Sequence, residues 1–490
     1  MPKKKHPIFD RKDFFWIAGI IIVALILRLY NFTEPVADWH SWRQADTAAV
    51  TRNFVRHGVD VLHPTYDDLS NVQSGMYNPK GYRFVEFPIY NAITAFTYTL
   101  FRYGPLQWYG RGVTIFFSLA LIVSLYLIGK KSDGRSTAIA AAITAAVMPF
   151  SIYYSRVILP DMTAVSLATM SIVLMLLFTE SPYRSKKAAL YFAGGIITFA
   201  LAILCKPTAL FFGIPILYIF YLRYNIELIK RPATYIFGIS VIAPFILWRI
   251  WISQYPEGIP YAQWLFTSVN TASGLQSILL RPSFFRWVFY ERIALLICGG
   301  YAHCLALLGA LKKTATYQLP LAFGISSLFY IFIFQGGNVQ HDYYQIMLIP
   351  TIALLIGAGW SLLVSKNDVW KYQLINIFIG IVLVTASWYF SWNQVKNYYS
   401  LNRGVIKTAE VIKTLTLSTD LIATDTTGDT TLLYLSDRRG FPSLSDEPDK
   451  MFERGISYLV TYDMKNATKL SQKYETLFIN DTVAILRLSK

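Results

Sequence analysis

The chain has 490 residues, of which 54% are hydrophobic and 15% charged, and its formal net charge is +16. Soluble domains usually carry about 25% charged residues, so the composition excludes an ordinary soluble globular protein. The positive charge does not indicate nucleic-acid binding, because most of the surplus lies in short basic connections typical of the cytoplasmic side of a membrane.

Eleven apolar runs dominate the sequence, and we expect each to cross a membrane as a helix. A crossing takes about 20 helical residues, and lipid offers no hydrogen-bond partner to an open backbone. The run 208–222 is short, so its ends must extend or the bilayer must thin there. The runs are 14–30, 112–129, 136–152, 162–179, 188–204, 208–222, 234–252, 293–311, 318–334, 346–364 and 373–391.

The distribution of Lys and Arg predicts the orientation of these helices. One set of connections is short and basic, as cytoplasmic loops are, whereas the other set is longer and mixed in charge. The N-terminus is therefore predicted in the cytoplasm and the C-terminus outside. A further apolar stretch, 87–101, would invert this pattern if it crossed. We therefore predict a helix in the outer interface there, a position that suits its aromatic residues.

Outside the membrane, the sequence predicts two outer loops and a polar tail. Residues 1–392 form the predicted transmembrane domain, with outer loops at 31–111 and 253–292, and residues 393–490 a small α/β domain. The tail has a helical pattern at 405–415, a turn at 424–429 and β-type runs at 421–423, 431–435, 456–461 and 482–488. The expected fold is an α-helical polytopic membrane protein with this small extracytoplasmic domain.

The first predicted outer loop opens with Asp-Trp-His-Ser-Trp-Arg-Gln-Ala-Asp at 38–46, and apolar residues at helical spacing continue to His57. Asp38 and His40 therefore lie where a helix begins, and a helix N-terminus stabilises an acidic residue. One interpretation of Asp38 is an N-cap with a solvated charge. The other is a functional carboxylate.

A second acid, Asp161, follows Pro160 at the outer start of the fourth span. Taken by itself, Asp161 is better explained as a cap for the helix that follows. Two acids at the same face of a helical bundle favour function, because ionisable groups at membrane depth are usually functional. We expect Asp161 to point across an outer vestibule toward Asp38.

Basic residues fall at the same predicted level. Each alone is explained by a long side chain that extends toward lipid headgroups. Together they could hold an anionic headgroup such as a phosphate, stabilising it as a leaving group while a carboxylate takes a proton from an acceptor hydroxyl. The residues are Lys206, Arg249, Arg281, Arg286 and His341.

The chain resembles the C class of glycosyltransferases, the multi-span enzymes that use polyprenyl-phosphate sugars. Within that class it is most similar to the family of protein O-mannosyltransferases and the lipid A aminoarabinose transferase. The likeness covers nearly the whole chain, and the string at 38–44 resembles a bacterial branch. The motifs are Asp38-Trp39-His40-Ser41-Trp42-Arg43-Gln44, Glu86-Phe87-Pro88, Pro160-Asp161, Lys206-Pro207, His341-Asp342-Tyr343-Tyr344 and Asp437-Arg438-Arg439-Gly440.

The resemblance implies an inverting transferase with Asp38 as general base. Asp161 would orient the acceptor or a bound ion, and Asp46 and Glu86 are the alternative catalytic acids. The implied donor-phosphate candidates are Lys206, Arg249 and His341, with Lys80 and Arg83 as substitutes for a lysine that some relatives carry at the position of Phe87. Residues for the acceptor, or for the motif of the first outer loop, are His40, Arg43, Tyr343 and Tyr344.

The implied partners are a polyprenyl-phosphate-linked sugar donor, membrane lipid, and an acceptor glycan, lipid or protein, with no nucleic acid. No cofactor is certain, and a divalent cation, if one is used, would bind Asp38 and Asp161. The implied location is a bacterial inner membrane with the active site on its outer face. Two other functions stay open, a flippase or transporter for polyprenyl-linked sugars and a non-catalytic scaffold for envelope glycan assembly. Acids at the outer edge rather than the midplane argue against a transporter.

Overall fold

The computed structural model describes residues 9–261, 281–365, 370–444 and 446–489. The N-terminal basic tail and part of the loop predicted at 253–292 lie outside these residues. The chain divides into two compact units, which we call the helical unit and the loop–tail unit. The helical unit comprises the described parts of 1–32, 112–247 and 262–397, and the loop–tail unit those of 33–111, 248–261 and 398–490. The predicted tail thus shares one compact unit with the first predicted outer loop.

Each of the eleven apolar runs contains a helix, which confirms a multi-pass helical membrane protein. Among the described residues, seven helical stretches are long and apolar enough to cross a membrane, or eight if one bent pair counts as a single span. The predicted number of eleven crossings is therefore not confirmed. The helices that lie wholly or mainly in the helical unit are Arg11–Arg28, Leu106–Asp133, Arg135–Val147, Pro149–Tyr154, Asp161–Glu180, Lys186–Cys205, Pro207–Phe212, Gly213–Tyr224, Asn225–Lys230, Pro232–Ile252, Pro282–Phe285, Arg286–Ile297, Ala302–Leu311, Leu319–Ile333, Gln335–Gln340, Asp342–Leu348, Ile349–Leu363 and Trp370–Val395.

Local sequence decides where the Lys186–Cys205 helix begins and ends. The Ser185 side chain caps its start by accepting a hydrogen bond from the backbone N–H of Ala188. Pro207 ends it, because a proline pushes the preceding residue out of the helical region. Lys206 accordingly has φ −154° and ψ 112°. The lysine therefore stands at the tip of the helix rather than on its side.

The bent pair consists of Pro282–Ile297 and Ala302–Leu311, which meet at 113°. Its first arm is π-helical over Arg286–Ile297, a geometry frequent at functional sites. Gly299 and Gly300, both at positive φ, form the break. A Cβ on Gly299 would lie 1.8 Å from the carbonyl oxygen of Ser387, so the chain turns here only because no side chain is present.

In the loop–tail unit, the Ser41–His57 and Ile89–Phe101 helices pack against each other. The second is the helix predicted for the outer interface. Its 13 residues are fewer than a crossing requires, and Phe96, Leu100 and Phe101 are exposed on its surface. Its placement in the interface stays a prediction.

The tail folds around a five-stranded mixed sheet with the order β2-β1-β3-β5-β4. β1 is parallel to β2 and β3, and β5 is antiparallel to β3 and β4. Apolar side chains alternate between two cores on the two faces, with Ile422 and Val460 in one and Ala423 and Leu459 in the other. The elements are helix Arg403–Leu415, β1 Leu421–Thr424, helix Thr431–Ser436, β2 Arg439–Phe441, helix Pro448–Glu453, β3 Ile456–Thr461, helix Met464–Leu470, β4 Glu475–Ile479 and β5 Ala484–Arg487.

The predicted tail helix and the strands at 421–423, 456–461 and 482–488 are confirmed. The β-type run predicted at 431–435 is wrong, because Thr431–Ser436 is a helix that packs against Ser41–His57. Asp68 pairs with Gly440 of β2 in a parallel bridge, so the first loop extends the sheet beyond its edge strand.

Candidate active site

Asp38 lies in the segment that leads into the Ser41–His57 helix, and the residue is only 5% exposed. Gln44 Nε2 donates a hydrogen bond to Asp38 Oδ1 over 2.7 Å. The N-cap position belongs to His40, which has a φ of 54°, so Asp38 is not the capping residue. The carboxylate is thus buried and oriented by a side chain from the first turns of the helix.

Backbone hydrogen bonds fix the segment that carries Asp38. The N–H of Trp39 donates to the carbonyl of Tyr398 over 3.0 Å, and the N–H of Asn402 donates to the carbonyl of Ala37 over 2.9 Å. These bonds flank Asp38 on both sides. The start of the tail therefore determines where the predicted base lies within the loop–tail unit.

Asp46, the alternative base, is buried among structural partners. Arg83 Nη2 lies 3.0 Å from Asp46 Oδ2, and Thr430 Oγ1 donates to Asp46 Oδ1 over 2.6 Å. Burial raises the pKa of Asp46, and the positive charge of Arg83 opposes that rise. Arg83 also lies over the ring of Tyr66. Asp46 and Arg83, predicted for different roles, are brought together as an ion pair.

Two further predicted residues, Arg43 and Glu86, form a largely buried ion pair. It joins the Ser41–His57 helix to the Glu-Phe-Pro motif that precedes Ile89–Phe101. His40 lies beside two aromatic rings, with its centroid 4.9 Å from that of Trp39 and 6.5 Å from that of Trp42.

Lys80 and Arg249, both phosphate candidates, have exposed side chains in the loop–tail unit. The Lys80 ammonium lies 5.5 Å from the centre of the Tyr82 ring, and the Lys80 carbonyl accepts a hydrogen bond from Arg439. The Arg249 guanidinium lies 5.9 Å from the centre of the Trp248 ring.

In the helical unit, Asp161 is the first residue of the Asp161–Glu180 helix and is fully buried. Its Oδ1 lies 3.0 Å from Lys206 Nζ, at the tip of Lys186–Cys205. The residue before the helix is Pro160, and no side chain caps this helix end. The contact that the carboxylate makes is therefore with a cation from the neighbouring helix rather than with its own backbone.

The predicted motif His341-Asp342-Tyr343-Tyr344 lies beside Lys206. The Lys206 ammonium is 5.2 Å from the centre of the Tyr344 ring and 5.7 Å from that of Tyr343. His341 stacks on Tyr343 with centroids 5.3 Å apart and planes 13° apart. Asp161, Lys206, His341 and both tyrosines thus form one group within the helical unit. Aromatic faces stabilise the buried ammonium.

Sequence reasoning missed the partners of Asp342. The Tyr154 hydroxyl donates to Asp342 Oδ1 over 2.6 Å, and Arg292 Nη1 lies 3.8 Å from Oδ2. Arg292 comes from the π-helical arm of the bent pair. An arginine directly before the apolar run 293–311 was the available signal, because such a residue at membrane depth usually needs a carboxylate.

Across the described stretches of the chain, no three His, Cys, Asp or Glu side chains lie close enough together to hold a metal ion. No ligand set for a divalent cation is therefore assigned.

Known proteins resemble the chain in both sequence pattern and fold. A family model described as dolichyl-phosphate-mannose-protein mannosyltransferase matches residues 86–251. No curated protein sequence matches the chain. The crystal structure of ArnT from Cupriavidus metallidurans bound to undecaprenyl phosphate is similar with a TM-score of 0.66 and 13% identity. That match covers 96% of this chain and 98% of the other.

Two larger proteins share the fold. The oligosaccharyltransferase of Archaeoglobus fulgidus matches with a TM-score of 0.60 and 10% identity, over 91% of this chain and 69% of that one. The arabinofuranosyltransferase AftD from Mycobacteria matches with a TM-score of 0.58 and 12% identity, over 98% of this chain and 40% of that one. At these identities the structures show a common fold.

Proposed function

We propose that this chain is a glycosyltransferase of the C class that transfers a sugar from a polyprenyl-phosphate donor to an acceptor hydroxyl on the outer face of a membrane. The family match over residues 86–251 and the shared fold support this proposal. The observation that supports this most is the correspondence, over nearly the whole of both chains, with a protein whose crystal structure contains undecaprenyl phosphate. The matching family is itself named for a sugar on a polyisoprenyl phosphate.

In the proposed reaction, the acceptor oxygen attacks the anomeric carbon of the donor sugar. The new carbon–oxygen bond forms as the bond to the phosphate oxygen breaks, and the electron pair leaves with the polyprenyl phosphate. Attack from the opposite face inverts the configuration. Asp38 takes the acceptor proton, and Gln44 holds its carboxylate in one orientation.

Lys206 is the favoured contact for the donor phosphate, because it is a buried ammonium that carries three donors. Asp161 orients that ammonium through the ion pair, and His341 is a second phosphate candidate beside it. Arg83 remains a candidate, since its ion pair with Asp46 has the same length as the pair between Lys206 and Asp161. Arg249 and Lys80 are exposed cations and remain candidates for contact with the donor phosphate.

The proposed location is a bacterial inner membrane, with the N-terminus in the cytoplasm and the loop–tail unit outside. The basic connections within the helical unit support this orientation. Lys130, Lys131 and Arg135 lie at the adjoining ends of two successive helices, as expected on the cytoplasmic side.

The test is the release of free polyprenyl phosphate from labelled polyprenyl-phosphate sugars by the purified full-length protein, with a crude envelope extract as acceptor source. We expect release by the wild type and none by Asp38→Asn. Asp60→Asn is the matched control, because Asp60 is an exposed acid of the same unit whose described contacts are local, with His63 and the backbone N–H of Leu62. Full activity of Asp38→Asn would remove Asp38 as the base.

The same preparation separates the two other functions. Movement of labelled lipid across vesicles without bond cleavage would identify a flippase or transporter. Saturable binding of the lipid-linked sugar without turnover, for every sugar tested, would identify a scaffold.

A further inference from the structure

We propose that Trp39 and Tyr398 form a platform on which a sugar ring of the acceptor stacks, so that the acceptor is a saccharide. This inference rests on the proposed function, since it names the substrate class for the base at Asp38. The two rings lie nearly parallel, with planes 13° apart and centroids 4.9 Å apart.

The Trp39 side of the platform is exposed, whereas the neighbouring residue Asp38 is largely buried. Trp39 is 44% exposed, whereas Asp38 is 5% exposed. The carboxylate points inward to Gln44, and the indole of the next residue presents surface outward. Asp38 and Trp39 are consecutive residues with Cα atoms about 3.8 Å apart, so the platform adjoins the proposed base along the chain.

The platform is also held in place without a ligand. The hydrogen bond from the Trp39 N–H to the Tyr398 carbonyl joins the two segments that supply the rings. The bond between Asn402 and Ala37 secures the same pair of segments a few residues away. A binding surface fixed in this way loses little conformational entropy when a ligand arrives. Trp itself has few rotatable bonds, which makes it a low-cost contact.

The chemistry of the surroundings favours a sugar. A pyranose ring has a face of C–H bonds, which packs on the electron-rich face of an aromatic ring, and a rim of hydroxyls that need polar partners. The ring centroid of His40 lies 4.9 Å from that of Trp39, and Asp38 is the residue before Trp39. An alkyl chain would use the aromatic surface and leave the imidazole and the carboxylate unused.

An exposed tryptophan in a membrane protein can instead sit among lipid headgroups. Trp16 provides the matched control, because it is 48% exposed on the apolar Arg11–Arg28 helix. Trp39→Ala and Trp16→Ala therefore remove the same side chain at similar exposure, in a proposed sugar site and in a membrane helix.

The first experiment measures direct binding by saturation-transfer NMR on the purified full-length protein in nanodiscs. The probes are methyl glycosides of glucose, galactose, mannose and arabinose, and oligosaccharides released from envelope extract by mild acid. We expect transfer to ring C–H protons of at least one probe, with Kd raised tenfold or more in Trp39→Ala. Trp39→Phe should retain most of the binding, and Trp16→Ala all of it.

The second experiment measures transfer. We expect Trp39→Ala to raise the KM for acceptor at least tenfold with a smaller change in kcat, and Trp16→Ala to change neither. If wild-type transfer depends on acceptor but the acceptor KM is the same in Trp39→Ala, the platform is refuted and the transferase proposal stands. If no variant releases polyprenyl phosphate while saccharide binding still depends on Trp39, the transferase proposal fails and the platform stands. Equal losses of binding in the two alanine variants would overturn the platform.

Discussion

Lys206 Nζ lies 3.0 Å from Asp161 Oδ1, and the two residues are 6% and 0% exposed. They come from different helices, one from the tip of Lys186–Cys205 and the other from the first position of Asp161–Glu180. Both residues are buried, so the ion pair stabilises the two charges, and the rings of Tyr343 and Tyr344 add to the stabilisation of the ammonium.

The first prediction follows from that mutual compensation. Asp161→Asn and Lys206→Met should each destabilise the protein by about 3–5 kcal/mol, because each breaks a buried ion pair by removing one partner. The double variant should regain most of the loss while transfer stays abolished. Thermal unfolding in nanodiscs measures the stabilities. A double variant less stable than both single variants would show that the pair is not the compensating unit.

Two variants of neighbouring threonines, Thr430→Val and Thr431→Val, test whether Asp46 has a structural role. Thr430→Val removes a hydrogen bond to a buried carboxylate and should cost about 1.5–3 kcal/mol. Thr431→Val removes a bond to the Ser41 hydroxyl and should cost about 0.5–1.5 kcal/mol. Both should retain transfer in the folded fraction. Loss of transfer at unchanged stability in Thr430→Val would instead favour Asp46 as the base.

Gln44→Met should lower kcat while the protein remains folded, because it removes the hydrogen bond that orients Asp38 at similar side-chain volume. A bond to a charged group contributes about 1.5–3 kcal/mol, which corresponds to a decrease of roughly 10–100-fold. The KM for donor should stay unchanged. An unchanged kcat would show that Asp38 keeps its orientation without Gln44.

Asp68 gives the loop–tail unit a specific pH dependence. Burial raises the pKa of Asp68 from 3.8 to about 6, against the hydrogen bonds from Ser70 that lower it. Between these two values the unfolded chain releases the proton before the folded chain does. Stability should therefore fall as the pH rises from about 4 to about 6, by roughly 3 kcal/mol at 1.36 kcal/mol per unit.

Asp68→Asn should flatten that slope, and thermal unfolding at pH 4, 5, 6 and 7 measures it. The Arg56 and Arg52 guanidiniums lower the pKa of Asp437, so its contribution is lost only as the pH falls below about 4. The two effects occupy different pH windows. An equal slope in wild type and Asp68→Asn between pH 4 and 6 would exclude Asp68 as its origin.

Gly299→Ala should prevent the sharp turn in the bent pair, because its Cβ would overlap the Ser387 carbonyl and its φ is +56°. We expect a loss of several kcal/mol, or no folded protein, in unfolding and size-exclusion measurements. Gly238→Ala is the control, since its Cβ would meet open space within the Pro232–Ile252 helix. Equal stability of the two variants would contradict the assigned role of the turn.

Most of the helical architecture could be predicted from the sequence, because lipid imposes a helix on every long apolar run. The strand Ile456–Thr461 was predicted for a similar reason, since its β-branched and apolar residues suit a buried strand. The run at 431–435 is also apolar, but three of its five residues are leucines, which favour a helix. It forms a helix that packs against Ser41–His57. The short strand Arg439–Phe441 gave no signal, because it contains a glycine and only three residues.

The sequence also indicated most of the charged residues of the candidate site but few of their partners. Asp161 and Lys206 were each placed at the outer ends of spans, yet residues so far apart in the chain cannot be paired without the fold. Arg83 was predicted to hold phosphate, and only the structure reveals its ion pair with Asp46. The aromatic stack of Trp39 on Tyr398 joins opposite ends of the chain and leaves no local pattern.

The hydrogen bond between Thr430 and Asp46 joins residues 384 positions apart, and the bridge between Asp68 and Gly440 is nearly as distant in sequence. Synthesis runs from the N-terminus, so the loop that carries Asp38 emerges long before the strand and the threonine that hold it. The loop therefore lacks these partners while most of the helices are being inserted. A chain that stops before residue 398 would have its proposed base but not the two backbone hydrogen bonds that fix the segment around it. The loop–tail unit can therefore assemble fully only after its C-terminal residues have been synthesised.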